Sequence, residues 1–118
     1  MRVCPIASLL VIFAAAALPV AAADRKPPPW EKLNHIGRAL YRENCIVCHD
    51  IEAAETKKLG PTLFRLFQNE KLPFSGGKPS IEYVRIKIQF GGDVMPPFVN
   101  RFDPAEIEKV IAYIKTKK

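Results

Sequence analysis

Two thiols and an imidazole lie within five consecutive residues, Cys45-Ile46-Val47-Cys48-His49. Two cysteines three apart, followed directly by a histidine, form the attachment signature of a covalently bound haem. Each thiol can add across one vinyl group of a porphyrin, and two intervening residues let both sulfurs reach the same edge of the ring. The histidine that follows is then placed to bind the iron as a proximal ligand. The motif therefore predicts a haem-binding protein.

Three other kinds of site can use the same cysteines. A thioredoxin-like redox motif needs a strand before the first cysteine, whereas residues 33–44 have a helical pattern. A zinc site built from the motif and His35 would strain the backbone, because Cys48 and His49 are neighbours in sequence. A disulfide between Cys45 and Cys48 would close a small, tense ring. The motif therefore favours haem over these alternatives.

The amino-terminal residues have the pattern of a secretory signal. A positively charged start and an apolar run from Ile6 to Leu18 are followed by Ala21-Ala22-Ala23, which suits signal peptidase. We therefore expect residues 1–23 to be a cleaved signal peptide. The alternative is an uncleaved membrane anchor over residues 6–23, although this stretch is short for a span and is interrupted by Pro19.

The composition is that of one small, basic domain. Cleavage would leave 95 residues, enough for a single domain, with Cys45 and Cys48 as the only cysteines. The net charge of +6 would become +5, from 17 Lys and Arg against 12 Asp and Glu. No interleaving of aromatic and basic residues points to nucleic acid. The positive surface is therefore expected to meet an acidic protein partner or anionic lipid, or only to serve solubility.

The first half of the exported chain is predicted to contain a leader, one long helix and one short helix. Residues 24–32 include three consecutive prolines and should form an extended leader. Leu33 to Cys45 has an apolar stripe at helical spacing, which predicts a first helix that ends at the motif. Gly37 costs about 1 kcal/mol relative to alanine inside that helix, which indicates that another backbone comes close. A short helix from Thr62 to Phe67 follows the Gly60-Pro61 pair.

Two further segments are expected to be helical. Residues 80–90 alternate as a half-buried strand does, but Val84 and Ile88 also share one helical face. The first serine of this segment could cap a helix and Gly91 could end it, whereas a lone strand would leave its backbone unpaired. A helix is therefore predicted. Asp103-Pro104-Ala105-Glu106 begins the last helix, with an acidic N-cap, proline at the first position and glutamate at the third.

Several landmarks in this order resemble a class I, mono-haem cytochrome c. They are the haem motif, the Gly60-Pro61 pair, a Met95-Pro96 pair between glycines and prolines, and the capped last helix. The resemblance covers the chain from Leu33 onward, which gives a cytochrome c domain over residues 33–118. It implies an all-α fold of three to five helices wrapped around one covalently attached haem.

The resemblance also implies how the haem is held. Cys45 and Cys48 would hold haem c through two thioethers. His49 would be the proximal iron ligand and Met95 the distal one. Methionine can instead simply fill a gap in a core, and His35 is the other candidate for the distal position. The metal ligands implied by the resemblance are therefore His49 and Met95.

Supporting residues are implied in the same way. The Pro61 carbonyl would accept the remaining ring N–H of His49, and Leu63 would pack on the proximal side. Gly37 and Tyr41 would lie where the first helix crosses the last. The residues expected to surround the haem are Leu40, Leu63, Phe67, Val84, Ile88, Phe98 and Ile111. The residues expected to contact its propionates are Tyr83, Arg65, Arg85 and Lys78.

An iron with both axial positions filled predicts a one-electron carrier and not an enzyme. The resemblance implies a periplasmic monomer that cycles Fe(III)/Fe(II) between redox partners such as a dehydrogenase, an oxidase or a respiratory complex. Lys57, Lys58 and Lys78 would orient an acidic partner.

One alternative is a haem c subunit dedicated to a periplasmic dehydrogenase or oxidase. Another is a ligand-binding, sensing or peroxidase-like haem protein, if Met95 is not coordinated. Membrane contact is expected only if residues 6–23 stay attached.

Overall fold

The computed structural model describes residues 29–118, and within them the chain forms helices and loops with no strand. The fold is therefore all-α, as predicted. None of these helices combines the length and the apolar character that a membrane span requires. The elements in chain order are α1 (Pro29–Asn44), a short 3-10 helix (Leu66–Gln68), α2 (Ile81–Phe90) and α3 (Pro104–Lys115).

Helix α1 begins at Pro29, earlier than the predicted start at Leu33. Residues 29–32 are therefore helical and not part of an extended leader. Proline is tolerated in a first turn because its missing N–H would have no partner there, and the acidic Glu31 in the same turn suits the helix dipole. The predicted signal peptide, residues 1–23, and the first part of the predicted leader lie outside the described residues.

Helices α1 and α3 cross in close contact at Gly37. A Cβ atom at this position would overlap the carbonyl oxygen of Lys109 and lie 3.0 Å from Cβ of Tyr113. One turn further along α1, the ring of Tyr41 is buried with its centroid 5.6 Å from that of Tyr113. Val110 is completely buried beneath the crossing. The close approach predicted from Gly37 is confirmed, and its partner is the backbone of α3.

Helix α2 confirms the helical interpretation of residues 80–90. The Ser80 hydroxyl accepts a hydrogen bond of 3.1 Å from a backbone N–H in the first turn, and Gly91 ends the helix with a φ of 71°. Val84 and Ile88 are buried on the same side. The sequence alternates like a strand because it also has an apolar residue, Ile86, between Val84 and Ile88. Ile86 lies on another face of the helix and is 45% exposed.

Helix α3 begins with the predicted capping box. The Asp103 carboxylate accepts from the backbone N–H of Glu106 at 2.7 Å, and the Glu106 carboxylate accepts from the backbone N–H of Asp103 at 2.9 Å. Pro104 occupies the first helical position. The helix then supplies much of the core through a continuous buried stripe, which consists of Ile107, Val110, Ile111, Tyr113 and Ile114.

The short helix predicted over Thr62–Phe67 is only a single 3-10 turn, Leu66–Gln68. Arg65, which precedes it, has a φ of 49° and lies in the left-handed region. A left-handed residue interrupts any right-handed helix that would start at Thr62. The turn still buries Leu66 in the core.

We expect Gly37→Ala to lower the free energy of unfolding by about 3 kcal/mol, because its methyl group would overlap a backbone carbonyl and push α1 away from α3. The gain of about 1 kcal/mol in helix propensity is smaller than this cost. Urea unfolding of the haem-loaded protein measures the change. Gly77→Ala is the matched control, since the closest atom to its new methyl would be Ser75 Oγ at 3.7 Å. Equal stability of the two variants would contradict the close crossing.

Candidate haem site

The Cys45–His49 motif forms a tight turn directly after α1. The backbone N–H groups of Cys45 and Ile46 donate to the Tyr41 carbonyl at 2.8 and 3.1 Å. Those of Cys48 and His49 then donate to the Cys45 carbonyl at 3.1 and 2.9 Å. Both cysteines are free thiols of intermediate exposure. The end of the helix therefore winds both sulfurs and the imidazole into one compact turn.

The segment 56–61 returns to this turn and fixes the imidazole. The backbone N–H of Gly60 donates to the Cys48 carbonyl at 2.7 Å, and His49 Nδ1 lies 2.7 Å from the Pro61 carbonyl oxygen. A Cβ atom at Gly60 would lie 2.7 Å from Nδ1, so a larger residue would displace the ring. Because Nδ1 must donate to the carbonyl, Nε2 keeps its lone pair for a metal. The contact implied by the resemblance is present.

Lys58 joins the same segment to the motif. Its ammonium group donates to the carbonyls of Ile46 at 2.6 Å and His49 at 3.3 Å, and it pairs with the Asp50 carboxylate at 2.7 Å. The Thr56 hydroxyl donates to the same carboxylate. The hydrogen bond from Lys58 holds the pKa of Asp50 below its usual range. Lys58 was expected to orient a partner protein, and its positive charge is paired with the Asp50 carboxylate of the protein itself.

Burial distinguishes the motif from a redox-active cysteine pair. It raises the pKa of the Cys45 thiol to about 11, with a smaller contribution from Cys48. Reactive cysteines of the thioredoxin type have lowered pKa values, because the thiolate is the nucleophile. The environment of Cys45 therefore argues against the thioredoxin-like alternative.

The motif opens onto a cavity of about 530 Å³. Cys45, Cys48 and His49 line it together with Met95, which comes from the loop after α2. This volume lies within the range of about 300–1,000 Å³ seen for small-molecule and cofactor sites. Of the residues expected to surround a haem, those that line the cavity are Leu63, Val84, Ile88 and Phe98. Those that pack elsewhere are Leu40, Phe67 and Ile111.

The loop that carries Met95 is held by a close backbone turn. The N–H of Gly92 donates to the Met95 carbonyl at 2.9 Å, and a Cβ atom at Gly91 would overlap that same carbonyl oxygen. The Met95 side chain is partly buried against the core. An imidazole nitrogen, a thioether and two thiols therefore meet at an apolar cavity, which is a donor set that fits a covalently bound haem.

Residues 33–114 match the family model described as cytochrome c oxidase, cbb3-type, subunit III. The chain belongs to the class I, mono-haem cytochrome c family. Cytochrome c6 of Bryopsis maxima is 30% identical over 79 residues, which cover 67% of this chain and 85% of that relative. This cytochrome c accordingly binds haem c covalently and takes part in haem-based electron transfer with redox protein partners.

His35 is placed away from the cavity of the cytochrome. It lies on the outer face of α1, 3.9 Å from Glu31, and its side chain is 67% exposed. Among residues 29–118, no group of three or more His, Cys, Asp or Glu side chains is arranged to hold a bare metal ion. The four residues considered for a zinc site are therefore not brought together.

Lys87, which lines the cavity beside Tyr83, was not among the residues predicted for the haem site. A signal for it exists, because Tyr83 and Lys87 are four residues apart, as are Val84 and Ile88. All four residues therefore share one face once the segment is known to be helical. The propionate candidates that do not line the cavity are Arg65, Arg85 and Lys78.

We expect Lys58→Met to lower the free energy of unfolding of the cytochrome by about 1 kcal/mol, because two carbonyls and a carboxylate would lose a charged donor. Lys57→Met is the matched control, since it removes the same charge from an exposed neighbour. Urea unfolding of the haem-loaded variants gives the comparison. If the two variants were equally stable, Lys58 would not stabilise the attachment turn.

Proposed function

We propose that this cytochrome is a periplasmic one-electron carrier in which His49 and Met95 are the two axial ligands of the haem iron. The observation that carries the proposal is that an imidazole and a thioether from distant segments line the same apolar cavity. The Pro61 carbonyl engages Nδ1 of His49, which directs Nε2 toward a metal. Cys45 and Cys48 would supply the covalent attachment.

The residues around the cavity suit electron transfer without bond rearrangement. The haem would supply the Fe(III)/Fe(II) couple. Pro61, Tyr41 and Lys58 hold His49 in place on one side, and the glycine turn holds Met95 on the other. Ligands fixed in this way keep the same positions in both oxidation states, and they leave no site for a substrate. The apolar lining disfavours the extra ferric charge and, with a thioether ligand, raises the potential.

The mouth of the cavity supports a transient protein contact. Four apolar side chains that line it are 67–83% exposed, and they are Val47, Leu59, Phe74 and Val94. The exposed Lys57 and Lys78 are separated from the mouth by only a few residues of chain. An apolar patch with charged residues near it fits a small, weakly held redox interface. The partners would be a dehydrogenase, an oxidase or a respiratory complex, and periplasmic location rests on the predicted signal peptide, residues 1–23.

A second candidate function is a haem c subunit fixed in a larger oxidase. The match to the subunit III model over residues 33–114 favours it. The same residues would hold the haem in either role. Size-exclusion chromatography of the protein from its native membranes and periplasm distinguishes the two. A monomer supports the carrier, and co-purification with one stable partner supports the subunit.

We expect the ferric cytochrome to have the weak far-red absorption band of sulfur-to-iron ligation, and Met95→Ala to abolish it. The reduced variant should also bind carbon monoxide, because one axial position would be open, whereas the native protein should not. Val94→Ala is the matched control, since this neighbouring side chain is 68% exposed. A native protein without the band, or one that binds carbon monoxide, would favour the sensing alternative.

We expect Lys57→Glu and Lys78→Glu to slow oxidation of the reduced cytochrome by ferricyanide at low salt, because an anionic oxidant would be attracted less. The effect should nearly vanish at about 1 M salt, where the screening length is about 3 Å. Lys32→Glu serves as the control, because it lies about 20 Å from the motif along α1. Equal slowing by all three variants would show that only net charge matters and would remove the steering role.

A further inference from the structure

We propose that Lys87, with Tyr83 beside it, is the site that binds a haem propionate carboxylate. The proposal deepens the haem site and rests on the proposed placement of the haem in this cavity, but not on ligation by Met95. Lys87 takes the place of three residues that were expected to contact the propionates but do not line the cavity, which are Arg65, Arg85 and Lys78.

The charges that line the cavity single out Lys87. In the part of the chain that the structure describes, Lys87 is the one lysine or arginine of the lining, and Asp93 is the one carboxylate. The Lys87 ammonium lies 5.8 Å from the centroid of the Tyr83 ring and 3.3 Å from the place of a Cβ atom on Gly92. It therefore lies at the edge of the cavity, beside the start of the loop that carries Met95.

Two other cations of the fold, Arg85 and Lys58, already have anionic partners. Arg85, on the same helix, pairs with Glu82 and Glu108. Lys58 pairs with Asp50. Lys87 forms no ion pair with any residue in the range 29–118. An ammonium beside an apolar cavity gains most from an anion that enters the cavity with an apolar body.

Tyr83 offers a second donor on the same face of α2. It is one helical turn before Lys87 and also lines the cavity. Its hydroxyl makes no hydrogen bond within the described part of the chain, so this donor is also uncommitted. A carboxylate can accept from an ammonium and a phenol at once. Haem combines an apolar ring, which would fill the cavity, with propionate carboxylates. One of these carboxylates would then accept hydrogen bonds from Lys87 and Tyr83.

The test is the pH dependence of the reduction potential of the haem-loaded protein. Protonation of a propionate removes a negative charge near the iron, so the potential rises as the pH falls through the propionate pKa. Lys87 should keep that carboxylate ionised to low pH. We therefore expect Lys87→Met to move this rise to a pH at least one unit higher, and Tyr83→Phe to move it less in the same direction.

Two control variants separate this effect from other charges. Arg85→Met removes the same charge from the same helix and should leave the profile in place. With Cys45 and Cys48 converted to thioethers in the haem-loaded protein, the other titratable groups that line the cavity are Tyr83, Asp93 and His49. Combining Lys87→Met with Asp93→Asn should therefore preserve the shift, because the carboxylate concerned belongs to the haem.

The outcomes distinguish this proposal from ligation by Met95. A profile of Lys87→Met that matches Arg85→Met overturns the propionate site, whatever the far-red band shows. A missing band in the native protein overturns only the Met95 ligand. If Lys87→Met disturbs the band as well, Lys87→Arg must restore the native pH profile, and failure of that rescue also overturns the proposal.

Discussion

At Gly37 the backbone of α1 passes so close to the Lys109 carbonyl of α3 that no side chain fits between them. This contact fixes the position of α1 against α3, and the haem motif follows α1 with no linker. One turn beyond Gly37, the buried Tyr41 donates from its hydroxyl to the His49 carbonyl at 2.8 Å. Burial raises the pKa of the Tyr41 hydroxyl, so the group remains a donor. Packing of two helices thus helps to position His49 at the cavity.

The two sides of the cavity are held in different ways. On the side of His49, the carbonyl of this residue receives two donors and its ring contacts the Pro61 carbonyl, so both backbone and side chain are constrained. On the opposite segment, Met95 depends on a short turn closed by one hydrogen bond to Gly92. Fewer contacts mean a lower cost of local opening. Within this fold, the loop that carries Met95 is therefore the less constrained side of the cavity.

Features with a signature in the residue types could be predicted from the sequence, whereas an unusual backbone conformation and main-chain hydrogen-bond acceptors could not. The capping box at Asp103 predicted the start of α3, and a glycine inside a helix predicted the close approach of another backbone at Gly37. Each of these features has a direct cause in the residue types. The 3-10 turn was predicted too long because nothing in its sequence signals the left-handed conformation of Arg65. The internal partners of Lys58 were not predicted, since they include two main-chain carbonyls that leave no trace in residue types. Lys87 was missed because residues 80–90 fit two periodicities.

The surface charge also has to be resolved residue by residue. A net charge of +6 suggests a uniformly attractive surface for acidic partners. The structure divides it, because Lys58 and Arg85 are neutralised locally by carboxylates, whereas Lys57 and Lys78 are exposed and form no ion pair within residues 29–118. Only charges without an internal partner keep their full field toward an approaching molecule. In the proposed carrier, the candidates for attracting a partner are therefore exposed lysines without an ion pair, and Lys57 and Lys78 lie within a few residues of the chain from side chains that line the cavity.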